Sequence, residues 1–359
     1  MKRKLSFLLS VMLILSLASY GAIKLKGEEK QHKKEGLTIV TSFYPMYIAA
    51  LNIADGIDGV QVVNLTENQT GCVHDYQLTT KDMRTLSGAQ IIILNGGGME
   101  EFMEDVLNRQ EGIPVIDSSA GMEFLTGSTH DHFGESYQED GPDNQQGERT
   151  KHEHITAEAA EEDHDHTQEE ESSQEENSHT HNHSTLNGHV WLNVERYIKQ
   201  IQTITKGLCD IDPLHKAMYR NNEAKYIKEL QNLKAELDSL KEITAGSEII
   251  IFHDSFAYLA EELGMEVVHA VNTDGETALN AGEIAEVIEE INLHTISYLF
   301  TEEQYEHTIA ERIEAETSAT VYVLDSLVTG GVEKNSYLKG MKKNIDIIQE
   351  AFTIGHKGR

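Results

Sequence analysis

The sequence predicts an α/β protein of two lobes with parallel sheets, joined by a long rigid helix. Three observations predict it. Short apolar runs rich in Ile and Val alternate with helical stretches between residues 37 and 127, and again between 247 and 352, as in strands covered on both faces by helices. A run from Asp212 to Glu242, with apolar residues at helical spacing, separates the two blocks. The chain of 359 residues is long enough to bury two such cores.

In the first block, Leu37 to Phe43 reads as a buried strand and Pro45 to Asp55 as the helix after it. Val60 to Thr66 is the second strand. Thr79 is placed to cap a helix through Leu86, and Ile91 to Leu94 is a third strand that runs into Asn95 and three glycines. A helix from Met99 to Asn108 and a strand from Ile113 to Asp117 follow. Val194 to Leu208 completes the N-terminal lobe, 37–208. The connector is a linker helix over 212–243, capped by Asp212 with Pro213 at its first position; Tyr219, Tyr226, Leu230, Leu233, Leu237 and Leu240 form its apolar stripe, and it would be about 45 Å long.

The C-terminal lobe, 247–359, repeats the alternation. Strands are expected at Glu248 to Phe252, Val267 to Val271, Ile296 to Phe300 and Val321 to Leu324. Helices are expected at Ser255 to Leu263, Glu283 to Ile291, Glu303 to Thr317 and Tyr337 to Phe352.

With 29 basic against 61 acidic residues the formal charge is −32, which argues against nucleic acid and anionic lipid surfaces and makes a cation the natural partner. Much of the acid lies in the insert at 128–187, where seventeen Asp and Glu face only Arg149 and Lys151. Nine of the eighteen histidines are also there, in His-x-His pairs such as His130-Asp-His132 and His164-Asp-His166. Such a segment buries too little apolar surface to offset chain entropy, so a disordered acidic His-rich loop is expected, able to capture Zn²⁺, Ni²⁺ or Cu²⁺ weakly. Residues 1–27 read as a signal peptide or N-terminal anchor, with Lys2, Arg3 and Lys4 ahead of an apolar run. No cysteine follows that run, so a cleaved signal and an uncleaved anchor both stay open. Cys72 and Cys209 are the two cysteines, and their spacing does not say whether they pair.

His189 lies in Gly188-His-Val-Trp-Leu-Asn193, where ordered sequence resumes after the insert. Its apolar neighbours suit a satisfied core histidine or a fixed ligand. His74 follows the second strand and a loop, and His253 stands directly after an apolar strand; Asp325 does the same later in the chain. Ligands in open α/β sheets bind beyond the carboxyl ends of strands, so His74, His189, His253 and Asp325 can converge on a metal site in the interlobe cleft. Three imidazoles and one carboxylate suit tetrahedral Zn²⁺ better than Mn²⁺. Asp325 is also suited to capping the next turn. Cys72 and Glu67 are weaker contributors, and His215, His269, His294 and His307 lack a partner pattern. Trp191 and Phe252 read as packing that holds neighbouring ligands still.

Val73-His74-Asp75-Tyr76, Gly188-His-Val-Trp-Leu192, His253-Asp-Ser-Phe-Ala-Tyr258 and Leu324-Asp325-Ser-Leu327, in this order and with an acidic histidine-rich insert before the second, resemble the zinc-binding (ZnuA-type) solute-binding proteins of bacterial ABC transporters, cluster A-I. The resemblance runs from Leu37 to the C-terminus. It implies an extracytoplasmic receptor, a monomer, that captures Zn²⁺ and delivers it to an ABC permease with a cytoplasmic ATPase, touching the membrane only through its N-terminal segment. It also implies that His74, His189 and His253 are the three histidine ligands and Asp325 the carboxylate position. The family commonly has Pro before the first ligand, where this chain has Val73, an acid where it has Gln77, and Asp-Pro where it has Asn187-Gly188. These departures bear on loop shape and affinity. Other readings are a receptor for manganese or another divalent metal, a surface metal buffer or adhesin, and a zinc hydrolase; against the last, the chain has no His-Glu-x-x-His helix.

Overall fold

A computed structural model describes residues 36–67, 73, 76–109, 112–127, 186–271, 281–303 and 307–355. The expected export segment at 1–27, Cys72, His74 and the insert from 128 to 185 lie outside the described residues.

Strands β1 (Leu37–Thr41), β2 (Val60–Asn64), β3 (Ile91–Leu94) and β4 (Val115–Asp117) form a parallel sheet in the order β2-β1-β3-β4. A short antiparallel pair follows, β5 (Leu125–Thr126) with β6 (Leu186–Asn187). Strands β7 (Glu248–Ile251), β8 (Glu266–Ala270), β9 (Tyr298–Glu302) and β10 (Thr320–Leu324) form a second parallel sheet in the order β10-β9-β7-β8. Counted from its own first strand, each sheet has the same order, second-first-third-fourth. Each therefore has a switch point between its first and third strands, where the crossovers diverge and a crevice opens at the carboxyl ends.

The helices are α1 (Tyr44–Ile53), α2 (Thr80–Ser87), α3 (Glu104–Arg109), α4 (Val194–Ile211), α5 (Lys216–Thr244), α6 (Ala257–Leu263), α7 (Ala281–His294), α8 (His307–Glu316) and α9 (Ser336–Gly355). Thr79 caps α2 as expected, in a reciprocal box with Asp82. Helix α4 is capped by Asn193, whose side chain accepts from Arg196 N at 3.0 Å.

The helix expected from Met99 to Asn108 is a 3-10 turn, Glu101–Met103, that runs into α3. Three further changes have a cause in the contacts. The long helix begins at Lys216 rather than Asp212, because Asp212 ends α4 and its carboxylate is taken by side chains: it accepts from His215 Nδ1 at 2.6 Å and Tyr219 OH at 2.9 Å. Pro213 falls in the intervening turn. The strand expected to stop at Phe300 continues to Glu302, because it keeps pairing with β10 up to Leu324. Finally, Leu186 and Asn187, expected within the disordered stretch, form β6. That pairing is bolted by one hydroxyl: Tyr258 OH accepts from Leu125 N at 2.9 Å and donates to Asn187 O at 2.7 Å.

Helix α5 spans about 44 Å at 1.5 Å per residue over its 29 residues. It buries the stripe of Tyr219, Tyr226, Leu230, Leu233, Leu237 and Leu240 against α1, α4, α6 and α9. Ile39 and Ile93 from the first sheet, Trp191, Leu237 of α5, Ile251 and Phe300 from the second sheet and Ile348 of α9 belong to one contiguous core. Because that core crosses both sheets, truncating a central member such as Leu237 to Ala is expected to cost about 2–5 kcal/mol. Cys209 is buried on α4 and has no disulfide partner among the described residues. No helix among the described residues is long and apolar enough to cross a membrane.

Candidate metal centre

Strand β7 ends at Ile251, and Phe252 N still donates to Phe300 O at 2.9 Å, so the backbone turns away at His253. A 3-10 turn, Asp254–Phe256, then leads into α6. His189 sits just before a similar turn, Val190–Leu192, that opens α4. Gly188 lets this approach be close: a side chain there would come within 2.7 Å of Met99 Sδ and 2.9 Å of Gly97 O. The two histidines, 64 residues apart by number (253 − 189), meet edge to face with ring centroids 4.9 Å apart and planes at 79°. Both are buried, at 2 % and 3 % exposure.

Each ring is held from behind at Nδ1. His189 Nδ1 lies 2.9 Å from Asn187 Oδ1, which also accepts from His189 N at 3.0 Å. Asn187 Nδ2 donates to Asp254 O at 2.8 Å, which fixes the amide and ties it to the loop of the other histidine. His253 Nδ1 lies 2.8 Å from Glu302 Oε1, which accepts also from Ser255 Oγ at 2.6 Å, while Glu302 Oε2 accepts from Ser326 Oγ at 2.9 Å. With Nδ1 engaged by an acceptor, Nε2 is the nitrogen through which either neutral ring would ligate a metal. Burial alone would raise the Glu302 carboxyl; the hydrogen bond and charge of His253, with the two serine hydroxyls, outweigh it and hold Glu302 below its ordinary range.

Trp191 connects the two arms. Its indole N–H donates to Ser326 O at 2.8 Å, its carbonyl accepts from Tyr337 OH at 2.6 Å, and its ring packs against His189 and Phe43, each at 5.2 Å between centroids. Phe252 is buried beside His253 but belongs to the smaller core with Val271 and Ile284.

Asp325 follows β10 directly and precedes Ser326, so it shares a loop with a partner of Glu302. Its Oδ1 accepts from Leu327 N at 2.8 Å, and its backbone exchanges two hydrogen bonds with the Asn344 side chain at 2.9 and 2.8 Å. The turn-capping role expected as an alternative is thus present, and Oδ1 carries it. Leu327 is buried with φ of 56°, a left-handed conformation uncommon for a branched side chain; a Cβ on Gly340 would collide with it. Burial pushes the Asp325 carboxyl up, opposed by the Leu327 bond and Lys343. Burial likewise raises the Tyr44 hydroxyl to about 12, opposed by a hydrogen bond with Ser336 and reinforced by the negative charge of Asp325.

The described residues thus bring His189 and His253 together and set Asp325 on an adjoining loop. His74 lies outside the described residues, next to the buried Val73. Among the described residues no three His, Cys, Asp or Glu side chains are grouped to hold one ion. Glu67 is exposed and paired with Lys81 at 2.7 Å. His215 is bound to Asp212, His294 stands 3.5 Å from both Glu248 and Glu290, and His269 is half-buried on β8; the side chain of His307 lies outside the described residues. Glu302 and the orienting role of Asn187 were missed by sequence reasoning. A carboxylate at the end of an apolar strand was the available signal for Glu302, and the Asx-Gly pair ahead of His189 the signal for Asn187.

Relatives share this arrangement of elements. The chain is 25 % identical over 348 residues to the high-affinity zinc uptake system protein ZnuA of Bacillus subtilis (strain 168), covering 95 % of each chain. In fold it is similar to the solute-binding protein FpvC of Pseudomonas aeruginosa, solved with Ni²⁺, with a TM-score of 0.67 and 21 % identity over 89 % of this chain and 98 % of that one. It is also similar to Zn(II)-bound AdcA from Streptococcus pneumoniae, with a TM-score of 0.63 and 22 % identity over 88 % of this chain and 58 % of that one. Two parallel sheets of like order, a histidine pair at their carboxyl ends and a sequence match that spans residues 39–351 lead to one conclusion: the chain belongs to the family of the periplasmic zinc-uptake complex component A, ZnuA.

Proposed function

We propose that the protein is an extracytoplasmic zinc-binding receptor of an ABC transporter, which captures Zn²⁺ and hands it to a membrane permease. The observation that carries this reading is the buried pair His189 and His253, each fixed at Nδ1 so that Nε2 is the ligating nitrogen. Membership of the zinc-uptake family supports the choice of metal. In this reading His74 supplies the third imidazole and Asp325 the fourth position through Oδ2, a set of three nitrogens and one oxygen that suits Zn²⁺. The lobes are 37–208 and 247–359, α5 is their connector, and the histidine-rich insert is an accessory collector. The chain acts as a monomer, is exported by residues 1–27 and is not an enzyme; its partners are the permease and the ATPase that drives it.

Competitive titration of Zn²⁺ against Mn²⁺ tests the proposal, with the intact mature protein and with residues 128–185 deleted. One tightly bound Zn²⁺ should survive the deletion and weaken at least about 100-fold, or about 2.7 kcal/mol, in His189→Ala. Tight binding that disappears with the insert, while His189→Ala is silent, overturns the cleft assignment. Because the imidazoles must be neutral to ligate, affinity should also fall between about pH 7.5 and about pH 5.5.

A further inference from the structure

We infer that Glu302 is a positioning residue for the metal, acting through His253, and that its negative charge makes the His253 arm of the site the stronger one. The inference rests on the zinc-receptor reading above and deepens it.

Glu302 is the last residue of β9 and His253 lies just beyond β7, so the two face each other across the switch point of the second sheet. Glu302 is buried, and each of its oxygens has a donor among the described residues: His253 Nδ1 and Ser255 Oγ on Oε1, Ser326 Oγ on Oε2. An ionised carboxylate can only accept, so the His253 proton is held on Nδ1 and the basic lone pair on Nε2. A carboxylate behind a ligating imidazole also increases its donor strength. On the other arm the acceptor is the neutral amide of Asn187, whose NH₂ is committed to Asp254 O. That amide sets the same tautomer in His189 without a charge. The two rings are therefore presented alike and differ in what stands behind them.

The oxygens of Glu302 also join loops that come from separate parts of the chain. Ser255 is on the turn after His253, while Ser326 follows Asp325 and receives the Trp191 indole at its carbonyl. One carboxylate thus registers His253 against the Asp325 loop and against the residue that packs on His189.

The test separates charge from shape. Glu302→Gln keeps the size of the side chain; it either leaves a neutral oxygen on Nδ1 or turns its NH₂ there and drives the His253 proton onto Nε2. Both outcomes weaken Zn²⁺ binding, by about 10–100-fold, and alter the visible spectrum of the Co²⁺-loaded protein. Ser326→Ala removes a neutral donor from the same carboxylate but leaves its charge behind His253, so it should weaken Zn²⁺ binding clearly less than Glu302→Gln does. An unchanged affinity in Glu302→Gln overturns the inference, as does a loss in Ser326→Ala as large as in Glu302→Gln, which would assign the effect to packing. Should Glu302→Gln not fold, nitrogen NMR of the metal-free wild type at mildly alkaline pH decides: His253 protonated at Nδ1 is the expected tautomer, and protonation at Nε2 overturns it. If His189→Ala and His253→Ala both bind Zn²⁺ like the wild type, the receptor site itself is wrong; if they lose it while Glu302→Gln does not, only the role of Glu302 fails.

Discussion

The two switch points of the molecule have the same backbone and different chemistry. Ser42 N donates to Ile93 O in the first sheet as Phe252 N donates to Phe300 O in the second, both at 2.9 Å. Phe43 therefore occupies in the first sheet the place that His253 holds in the second. Each crevice also contains a buried glutamate. Glu100 accepts from Ser42 Oγ at 2.7 Å, Asn95 N at 2.6 Å and Gly96 N at 3.0 Å, all neutral donors that fix the loop after β3. Burial pushes its carboxyl up to about 7, against the pull of those three bonds. Glu302, facing an imidazole and two hydroxyls, goes the other way. A buried carboxylate is thus a loop clamp when its donors are backbone amides, and a support for a ligand when its donor is a histidine.

The largest effect should come from the position the two sheets share. Phe43 is buried against Trp191, so Phe43→Ala is expected to cost about 3–5 kcal/mol of folding stability, read by denaturant unfolding. A cost below about 1 kcal/mol would mean that the first crevice is not a packed counterpart of the second.

A smaller and pH-dependent effect separates the glutamates. Glu100 has a folded-state value of about 7 against an ordinary 4.5, so charging it opposes folding. The penalty is absent below about pH 4.5, grows as pH rises and is complete above about pH 7, up to about 3 kcal/mol. Relative to wild type, Glu100→Gln should therefore gain stability between about pH 5 and about pH 8 in paired unfolding curves. A difference that stays flat, or moves the other way, would place Glu100 with Glu302 as a carboxylate stabilised in its charged form.

The smallest effect concerns the bolt between the halves. Tyr258→Phe deletes a hydroxyl used by Leu125 N and Asn187 O, and about 1–2 kcal/mol of stability should go with it. Zinc affinity should change by no more than a few-fold, because the side chain of Asn187 keeps its own bonds to His189 and Asp254. A larger loss of zinc would show that the β5–β6 pair holds the His189 arm in place.

Most strands and the long helix were legible because burial on both faces writes itself as continuous Ile and Val runs, and burial on one face as a stripe such as Leu230, Leu233, Leu237 and Leu240. The ends were less so. Asp212 looked like a helix cap because its type and the following proline suit one, yet His215 and Tyr219 compete for its oxygens. Glu302 fell between the strand expected to end at Phe300 and the helix expected from Glu303, and drew no role because a charge after an apolar run usually marks the surface.

By itself the sequence determined the α/β alternation, the long helix and the place of His253 just past an apolar strand, since each is written in local period or in residue type. Only the tertiary structure decided that Glu302 stands behind His253, 49 residues away, that Asn187 stands behind His189, and which nitrogen of each ring is engaged. The reason is physical: local pattern records whether a residue is buried, whereas the state of a buried ionisable group depends on which donors the fold brings within 3 Å of it, and those come from distant parts of the chain.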